Sequence, residues 1–556
     1  MKHRIVYTKP GYALSGLILF LLGILQTVPA IAQTKKFIEL GWDIPSTQFI
    51  RDHYQEMEAG TPFSGVMYEV TPHGENDNTS SRFLFSPDPW NRKDYQTCID
   101  DLNSCHFQAF TDNFIRANFT PGTVAWDDDA AWETMMQKIA ICAWIARETG
   151  SKGLAPDFES YGTHMFRWDP VTQNGRNFNE MRRIVRHRGE QFVQAIASEY
   201  PDATLLALWL NSINRSAGMS DYPDSVLASS DYGLLPAFIN GMIAAAPKEM
   251  VFIDGCENGY YCDSPMFYQY ATEILLRTGA CMKLVEPELR QKYREQVQCG
   301  FGIYLDMYTV QEGQPNYRGP IEERGMSRLD RLCDCIQHAM NASDQYIWIY
   351  GEQNRWWNFP ENDNPDTYWE KALPGLTKRL HQILKPETIL EEAIELVHNG
   401  EAGDNLSLNP AFDEIQDGKP LHWNFWQNEE HPTGEYFSEN LDGNNVVSFR
   451  NLTNGCVMQG INVKPGERYY FQVRVRTGGN TQAKVEIGWQ NSNGWVWEYR
   501  QDFIPSPDDN TEWKTVQGVV TTPQNITTLI VLLEVSRQNS PADTCSFDDM
   551  EIYRLP

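Results

Sequence analysis

Positive charge is scarce in this sequence. Its 556 residues include 46 Lys and Arg against 74 Asp and Glu, which gives a net charge of −28 at pH 7. Nucleic acids and anionic membrane surfaces attract proteins through a positive surface, so this balance argues against both as general partners. The acidity favours solubility and by itself indicates no substrate.

Sequence motifs of several enzyme classes are also missing. The chain has no GxGxxG or Walker loop for a nucleotide, no HExxH pair for zinc and no GxSxG turn for a serine nucleophile. Its eleven histidines show no metal-ligand spacing and its cysteines no CxxC pairs, so we expect no metal in the main domain and no cofactor. Carboxylates are the catalytic groups that remain.

The first residues form a segment of their own. Lys2, Arg4 and Lys9 precede an apolar stretch over residues 16–25, and a small-residue sequence ends at Ala32. This order predicts a secretory signal peptide over residues 1–32, and the apolar stretch is too short for a comfortable membrane span. We therefore expect a secreted protein, periplasmic or extracellular, without a membrane anchor after cleavage.

The number of cysteines is eleven, which fits an oxidising compartment and leaves at least one thiol unpaired within a single chain. We expect a mixture of structural disulfides and buried thiols. The pairs close enough in sequence to bridge are Cys98 with Cys105 and Cys256 with Cys262, while Cys456 and Cys545 share the C-terminal segment.

Short apolar runs alternate with amphipathic helical segments from residue 33 to residue 385. The helical pattern is clearest at 128–149, 178–199, 265–279, 321–341 and 366–384. The β-rich runs cover residues 37–43, 64–70, 107–114, 152–160, 204–212, 250–257, 301–308 and 346–352. Eight such runs predict an α/β fold, a (β/α)8 TIM barrel, with an open doubly wound sheet as the alternative.

Acidic and amide side chains follow the apolar part of these runs. In chain order they are Asp43, Glu69, Asp112, Asp157 with Glu159, Asn211, Asp254 with Glu257, Asp306 and Glu352. A barrel carries its catalytic groups at the C-terminal ends of its strands, and isolated buried carboxylates are costly as packing. The pattern therefore predicts an active site, although helix capping or pairing with Arg is the alternative for individual residues.

Asp157 and Glu159 are two residues apart at the end of the fourth run, so both side chains can face one pocket. A pair of carboxyl groups beside a sugar linkage is the equipment of glycoside hydrolysis. The segment resembles the fourth-strand acid of barrel glycosidases, including chitinase-like enzymes, although Ala155 stands where their longer motif has another Asp. The seventh run ends in Asp306, which differs from the seventh-strand Glu of the large glycosidase clan.

Two further segments extend the candidate site. Asp254 and Glu257 follow the sixth run, and Glu352 follows the eighth, so all three join Asp157 and Glu159 as candidate catalytic residues. Aromatic rings stack on sugar rings while charged groups bind hydroxyls. The candidate substrate-binding residues are Trp42, Asp43, Tyr161, Trp209, Asn211, Asp306, Arg355, Trp356 and Trp357. For Trp209 and Trp348, packing in the barrel core is an equal alternative.

The composition changes after an acidic helical linker at residues 386–404. Residues 405–556 show short alternating strands and turns, which predict an antiparallel β-sandwich, a jelly roll. NLSLNPAFDE, VMQGINVKPGERYYFQVRVRT and SFDDMEIY resemble, in this order, the family-four/nine type of carbohydrate-binding module. That resemblance implies a glycan-binding accessory domain and a structural calcium near Asp548 and Asp549.

Together these features predict a secreted glycoside hydrolase that acts on a polysaccharide or oligosaccharide. A non-catalytic glycan-binding protein on a barrel scaffold is the first alternative. A polysaccharide lyase is the second, and it would need a Tyr or His base with basic residues that neutralise a uronate.

Overall fold

The computed structural model describes residues 34–556 except 75–78, 87, 121, 123, 358–366, 431–433 and 507–511. The predicted signal peptide lies outside the described residues. Within the described part of the chain, no helix is both long and apolar enough to cross a membrane.

The chain from Lys36 to Gly351 forms a nearly closed barrel of parallel strands, which confirms the predicted fold class. The strands are β1 (Lys36–Gly41), β2 (Gly65–Tyr68), β3 (Phe114–Asn118), β4 (Gly153–Asp157), β5 (Thr204–Ala207), β6 (Val251–Asp254), β7 (Val297–Cys299), β8 (Phe301–Tyr304) and β9 (Tyr346–Gly351). Their order around the sheet is β7-β6-β5-β4-β3-β2-β1-β9-β8.

Nine strands occupy eight positions because β7 and β8 belong to one run broken at Gly300. β7 pairs with β6, and β8 pairs with β9. A side chain at Gly300 would lie 2.9 Å from both Ile253 and the Tyr346 carbonyl oxygen, so glycine fits where the two neighbouring strands converge. The two parts of this run are the two ends of the sheet, which leaves the barrel nearly closed.

Helices lie between these strands. They are α1 (Thr47–Gly60), α2 (Gln96–Asn103), α3 (Asp129–Glu148), α4 (Phe178–Glu199), α5 (Arg215–Met219), α6 (Pro223–Ala228), α7 (Leu235–Ala245), α8 (Ser264–Leu275), α9 (Ala280–Lys283), α10 (Arg290–Gln296), α11 (Arg328–Ala342), α12 (Trp369–Ala372), α13 (Leu376–Leu384) and α14 (Glu387–His398). Side chains fix several starts: Asn177 and Glu180 form a capping box on α4, as Ser327 and Asp330 do on α11.

The third strand differs from its prediction. Residues 107–114 were predicted as the strand, but β3 begins only at Phe114, so Asp112 precedes it instead of ending it. Asp112 lies at the opposite end of the barrel, where it pairs with Lys36 and accepts a hydrogen bond from the Tyr346 hydroxyl at 2.7 Å. The prediction for Asp112 is therefore wrong, because the apolar residues before it belong to the connection from α2.

The predicted linker contains a packed helix, α14. Ala393 of α14 is buried against Tyr470 and Leu555 of the C-terminal half. On the barrel side, Glu392 accepts hydrogen bonds from Lys378 at 2.6 Å and from Gln382 at 3.0 Å, both on α13. α14 thus contacts both halves of the chain.

The C-terminal part of the chain, from Ile415 to Arg554, is an antiparallel β-sandwich, as predicted. Its strands are β10 (Ile415–Gln416), β11 (Lys419–Pro420), β12 (Asn424–Gln427), β13 (Glu435–Leu441), β14 (Asn444–Arg450), β15 (Asn454–Asn462), β16 (Arg468–Gly478), β17 (Gln482–Asn491), β18 (Gly494–Trp495), β19 (Gln501–Phe503), β20 (Lys514–Thr521), β21 (Thr528–Ser536) and β22 (Thr544–Arg554). One sheet has the order β12-β15-β21-β17-β18, with β19 on β17, and the other β13-β14-β22-β16-β20. Apolar side chains from alternate positions, including Val485, Trp489 and Phe547, form the core between them.

All eleven cysteines are buried and unbridged, so the expected disulfides are absent. Cys98 lies within α2, where its thiol donates to the Thr71 carbonyl at 3.3 Å, whereas Cys105 follows the end of that helix and its thiol donates to the Asp101 carbonyl at 3.5 Å. Cys456 lies among apolar side chains on one sheet of the sandwich, whereas Cys545 lies in the core between the sheets. The thiols serve as packing groups, which is a common role of buried cysteine.

Candidate functional site

A cavity of about 260 Å³ lies at the C-terminal end of the barrel strands. Side chains from β1, β3, β8 and β9 and from the segments that follow β4, β5 and β6 form its wall. The lining residues are Leu40, Arg116, Glu159, Tyr161, Leu208, Glu257, Tyr260, Tyr261, Tyr304, Asn316, Trp348, Tyr350 and Glu352. Three predicted catalytic residues, Glu159, Glu257 and Glu352, therefore meet in one cavity.

Glu257 is held by a tight turn after β6. Cys256 has the left-handed conformation, with φ 37° and ψ 69°, which is unusual for a residue with a side chain. Its N–H donates to Asp254 at 3.3 Å, and the N–H of Glu257 donates to the Leu208 carbonyl at 3.2 Å. A side chain at Gly255 would lie 2.8 Å from the indole nitrogen of Trp348, so only glycine fits the turn. Backbone strain of this kind concentrates at functional sites.

The carboxyl group of Glu257 is the strongest acid–base candidate. Burial, together with the nearby charges of Glu159 and Asp157, raises its pKa to about 8. Burial also raises the pKa of Glu159, with Asp157 and Glu352 contributing in the same direction. One Glu257 oxygen has no hydrogen-bond partner among the described residues. Glu257 thus holds a proton near neutral pH and can deliver it to a substrate.

Glu352 is oriented by a chain of hydrogen bonds. The indole N–H of Trp42 donates to the Tyr350 hydroxyl at 2.8 Å, and that hydroxyl donates to the Glu352 carboxylate at 3.0 Å. Asp306 accepts hydrogen bonds from the N–H groups of Glu352 and Gln353 at 2.7 and 3.0 Å. Asp306 does not line the cavity but fixes the backbone that presents Glu352.

Asp157 is bound to neighbours instead of facing the cavity. It accepts hydrogen bonds at 3.0 Å from the Arg116 guanidinium and the Tyr161 hydroxyl, and at 2.9 Å from the N–H of Glu159. Arg116 lies on β3 and points into the same region. Asp157 therefore positions Arg116, Tyr161 and Glu159, which is the Arg-paired alternative that the sequence left open.

An aromatic cluster forms one wall of the cavity. The rings of Tyr260 and Tyr350 stack with centroids 5.9 Å apart, and Tyr304 lies 5.2 Å from Tyr260 and 5.3 Å from Tyr350. Trp348 lies behind them, fully buried, and its indole N–H donates to the Gly255 carbonyl at 2.8 Å. The tyrosines thus offer flat surfaces and hydroxyl groups to a ligand, while Trp348 supports them.

Three other predicted site residues lie outside the cavity wall. Asp254 is fully buried and accepts hydrogen bonds from Ser212 and from the N–H of Leu210 at 3.0 Å, so it holds the loop after β5. Asn211 is buried in that same loop. Trp209 is buried with its ring 5.4 Å from Tyr232, which favours the core role for this side chain.

The tryptophan pair after β9 packs onto the barrel. The N–H of Trp356 donates to the Asp43 carboxylate at 3.1 Å, and the indole N–H of Trp357 donates to the Asp43 carbonyl at 3.2 Å. Trp357 is only 6% exposed, and the Trp356 ring lies edge-on against Phe63 at 4.8 Å. The structure therefore places neither ring in the cavity wall, where the sequence had suggested a sugar subsite.

Asp43 belongs to a second acidic pair, with Glu39 on β1. Burial raises the pKa of Asp43 to about 6, although the hydrogen bond from the N–H of Trp356 and the charge of Arg355 act to lower it. Burial and the neighbouring Asp43 raise the pKa of Glu39 well above its usual range. The Nε–H of Arg355 donates to the Thr367 hydroxyl at 3.0 Å.

Several cavity residues were missed by the sequence analysis. Arg116 was overlooked because the third strand was placed too early; the correct strand, FIRAN, directs Phe114, Arg116 and Asn118 to one face. Tyr304 and Tyr350 sit at strand ends as the carboxylates do, and the same rule could have found them. Asn316 lies in a loop for which the sequence carried no signal.

The outer face of one sandwich sheet carries exposed tryptophans. Trp426 of β12 is 49% exposed, and Trp497 is 61% exposed and stacks on Trp495 of β18 at 4.9 Å. Cross-strand pairs place Trp426, Cys456, Glu534 and Lys484 on a single face. We call this surface, with Trp495 and Trp497 at its other edge, the tryptophan face.

Asp548 and Asp549 do not form a metal cradle. The Arg474 guanidinium lies 3.4 Å from Asp548 and 3.1 Å from Asp549, in the place where a cation would neutralise the pair. No group of three or more His, Cys, Asp and Glu side chains in the described part of the chain is arranged to hold a metal ion. In this structure the two aspartates are paired with Arg474, and the calcium that the resemblance implied stays a prediction.

Comparisons with solved structures give partial likenesses. A CBM4 structure shares 19% identity over 27% of this chain and 99% of that chain, with a TM-score of 0.21. The CBM22-1 xylan-binding domain of Paenibacillus barcinonensis Xyn10C shares 14% over 28% of this chain and 96% of that chain, also with a TM-score of 0.21. A Clostridium thermocellum xylanase 10B structure with CBM22-1 and GH10 modules shares 14%, covers 28% of each chain and has a TM-score of 0.21. The match thus spans about a quarter of that larger protein.

No curated protein matches the chain. The sequence model of one family, described as Carbohydrate binding domain (CBM_4_9), matches residues 404–544. These residues include most of the sandwich and its tryptophan face. The C-terminal sandwich is therefore a carbohydrate-binding domain of this family.

Proposed function

We propose that the protein is an exported glycoside hydrolase that acts on a polysaccharide or oligosaccharide. The observation that carries this proposal is the meeting of Glu159, Glu257 and Glu352 in one cavity with an aromatic wall, in a chain that also has a carbohydrate-binding domain. Export is proposed from the signal-peptide pattern of residues 1–32.

In the proposed reaction, Glu257 donates its proton to the glycosidic oxygen as the bond breaks. Its pKa of about 8 keeps the proton in place at neutral pH. Glu352, oriented by Tyr350, is the opposing carboxylate: it either takes the proton of the water that bonds to the anomeric carbon or bonds to that carbon itself, with water releasing the sugar in a second step. Glu159 helps to raise the pKa of Glu257. A general acid and an opposing carboxylate on two sides of the sugar linkage are the two groups that hydrolysis needs.

The tryptophan face supplies the proposed glycan-binding surface. Exposed indole rings stack on the apolar faces of sugar rings, and the polar side chains between them can bind hydroxyls. Trp426 and Trp497 lie at opposite edges of the sheet, so a glycan chain crossing the strands contacts both. This surface would hold polymeric substrate while the barrel cleaves it.

The lyase alternative finds less support in the cavity. Its tyrosine base would be Tyr161, but burial and the Asp157 charge raise the pKa of that hydroxyl strongly, which opposes proton abstraction. Its uronate-neutralising residue would be Arg116, which already pairs with Asp157.

A leaving-group series tests the assignment of roles. Glu257→Gln should lose activity on natural glycans but keep much of it on aryl glycosides with a good leaving group, which need no protonation. Glu352→Gln should lose activity on both, and Glu56→Gln, an exposed carboxylate on α1, serves as the charge-matched control. Folded wild-type protein that binds glycans but releases no product from any of them would support the non-catalytic alternative.

A further inference from the structure

The acidic and basic side chains that line the barrel cavity are three glutamates and one arginine. Glu159, Glu257 and Glu352 contribute carboxyl groups. Among the lining residues, which all belong to the described part of the chain, Arg116 has the only cationic side chain. The remaining wall consists of apolar side chains, tyrosine hydroxyls and the amide of Asn316. A bound ligand therefore meets mainly hydrogen-bond acceptors and hydroxyl groups.

The charge of Arg116 is already balanced. Its guanidinium donates to Asp157 at 3.0 Å and lies 3.4 Å from the Tyr161 hydroxyl, and its side chain is 13% exposed. Asp157 is buried behind it and accepts from Tyr161 as well. An incoming anion would have to compete with this pair, and breaking a buried pair is costly.

We propose that this cavity selects a sugar ring without negative charge and excludes uronic acids and sulfated sugars, an inference that rests on the proposed hydrolase function. A carboxylate or sulfate on the ring would face the acidic side chains of Glu159 and Glu352, beside the protonated Glu257, without a free cation, and like charges brought together at an interface are strongly unfavourable. Neutral hydroxyls can donate to the same carboxylates. An ammonium group, as in an amino sugar, gains from them.

The volume of the cavity limits how much of a glycan is selected in this way. At about 260 Å³ the space lies just below the roughly 300–1,000 Å³ of sites for drug-sized ligands, so it fits one ring and not a chain. The selection thus acts on the ring at the cleavage point. Charged rings elsewhere along a polymer are not excluded by it.

Titration calorimetry of the full chain at pH 7 with matched monosaccharides tests this inference. The probes are glucose, glucuronate and glucosamine, together with galactose, galacturonate and galactosamine. In any series that binds, we expect the uronate to bind at least ~10-fold more weakly than the neutral sugar, and the amino sugar at least as tightly as it. Equal or tighter binding of a uronate overturns the inference, and so does a failure of every neutral and amino sugar to bind.

Two variants assign the discrimination to the cavity. Asp157→Asn frees Arg116, and Glu352→Gln removes one lining charge. Each should reduce the ratio of the affinity for the neutral sugar to the affinity for the uronate about threefold or more. Glu56→Gln should leave this affinity ratio unchanged. Thermal melts confirm that each variant is folded, and the second variant serves if Asp157→Asn does not fold. An unchanged ratio in both folded variants overturns the inference. Binding needs no turnover, so a protein with this selectivity but without hydrolysis would refute the proposed function alone.

Discussion

Carboxylates occur in two contrasting settings in this protein. In the barrel cavity, Glu257 faces other carboxyl groups, and no lysine or arginine pairs with it among the described residues. On the tryptophan face of the sandwich, Lys484 lies 2.9 Å from Glu486, 3.0 Å from Asp502 and 3.2 Å from Glu534. The carboxyl groups of both settings are partly or fully buried. In the cavity the one cation among the described lining residues, Arg116, pairs with Asp157 and leaves Glu257 unpaired, whereas on the sandwich Lys484 pairs with all three carboxylates.

This difference separates a reactive group from a structural one. Burial without a cation raises the pKa of Glu257 to about 8, so it keeps a proton that it can transfer. On the sandwich, hydrogen bonds to three carboxylates outweigh burial and raise the pKa of Lys484, which keeps the ion pairs intact. An unpaired buried carboxyl group in a cavity is therefore the more informative sign of catalysis, since paired clusters of equal size are often structural.

The largest expected effect comes from the unpaired setting. Glu257→Gln should lower kcat/KM on natural glycans by about 10²–10⁴-fold, because it removes the proton donor while preserving shape. Its melting temperature should be equal to or above that of the wild type, since a buried ionisable group is replaced by a neutral amide. Kinetics and calorimetry on the same preparation measure kcat/KM and the melting temperature. Full activity of the Glu257→Gln variant would instead assign the role of general acid to Glu159.

The paired setting should show the opposite pattern. Lys484→Met leaves Glu534 and Asp502 without their cation and leaves Glu486 with only Arg500, 3.9 Å away, so we expect a loss of about 2 kcal/mol in the free energy of unfolding. Activity on small soluble glycosides should stay at the wild-type level. Chemical denaturation checks the first result, and an unchanged denaturation midpoint would mean that the cluster is not needed for stability.

The pH dependence of stability should distinguish the two settings further. The pKa of Glu257 is raised to about 8 in the folded state, so its contribution to stability is fully present below the unfolded value near 4.5 and is lost as pH rises toward 8. Thermal melts between pH 5 and 8 should show a decline that Glu257→Gln reduces. Identical slopes in the two proteins would show that Glu257 titrates normally.

The smallest effect is expected at the sandwich surface. Trp497→Ala should weaken binding to polymeric substrate about threefold to tenfold, with little change in melting temperature, because the ring is mostly exposed. Trp357→Ala provides the contrast: this buried ring should cost about 3–5 kcal/mol of stability. Pull-down on insoluble glycans and melts of both variants check the pair; a large stability loss in Trp497→Ala would assign that ring to packing.

The sequence predicted strands better than side-chain directions. Near-continuous apolar runs correctly predicted the positions of most barrel strands. The expectation that catalytic groups follow the C-terminal ends of these strands correctly pointed to Glu159, Glu257 and Glu352 as neighbours in one cavity. It failed at Asp112, because an apolar connection resembles a strand, and that error hid Arg116. The same reasoning placed Asp254 and Glu257 in one site, but Asp254 is buried behind the loop while Glu257 lines the cavity. The left-handed conformation of Cys256 separates them, and no pattern in the sequence indicates it. Hydrogen-bond partners such as Arg116 for Asp157 depend on contacts between distant strands.

Because all eleven thiols are buried, the unfolding of this protein can be followed by the reaction of its cysteines with a thiol reagent. A thiol reagent reacts only with a cysteine that it can reach and that is ionised to the thiolate. Burial prevents contact with the reagent, and it also raises the pKa of thiols such as Cys105 and Cys333 to about 11. Each cysteine should therefore react only when its surroundings open, at a rate set by the local free energy of opening. Mass spectrometry of pulse-labelled protein would then rank the opening of barrel and sandwich separately, since Cys456 and Cys545 report on the sandwich and the other nine on the barrel.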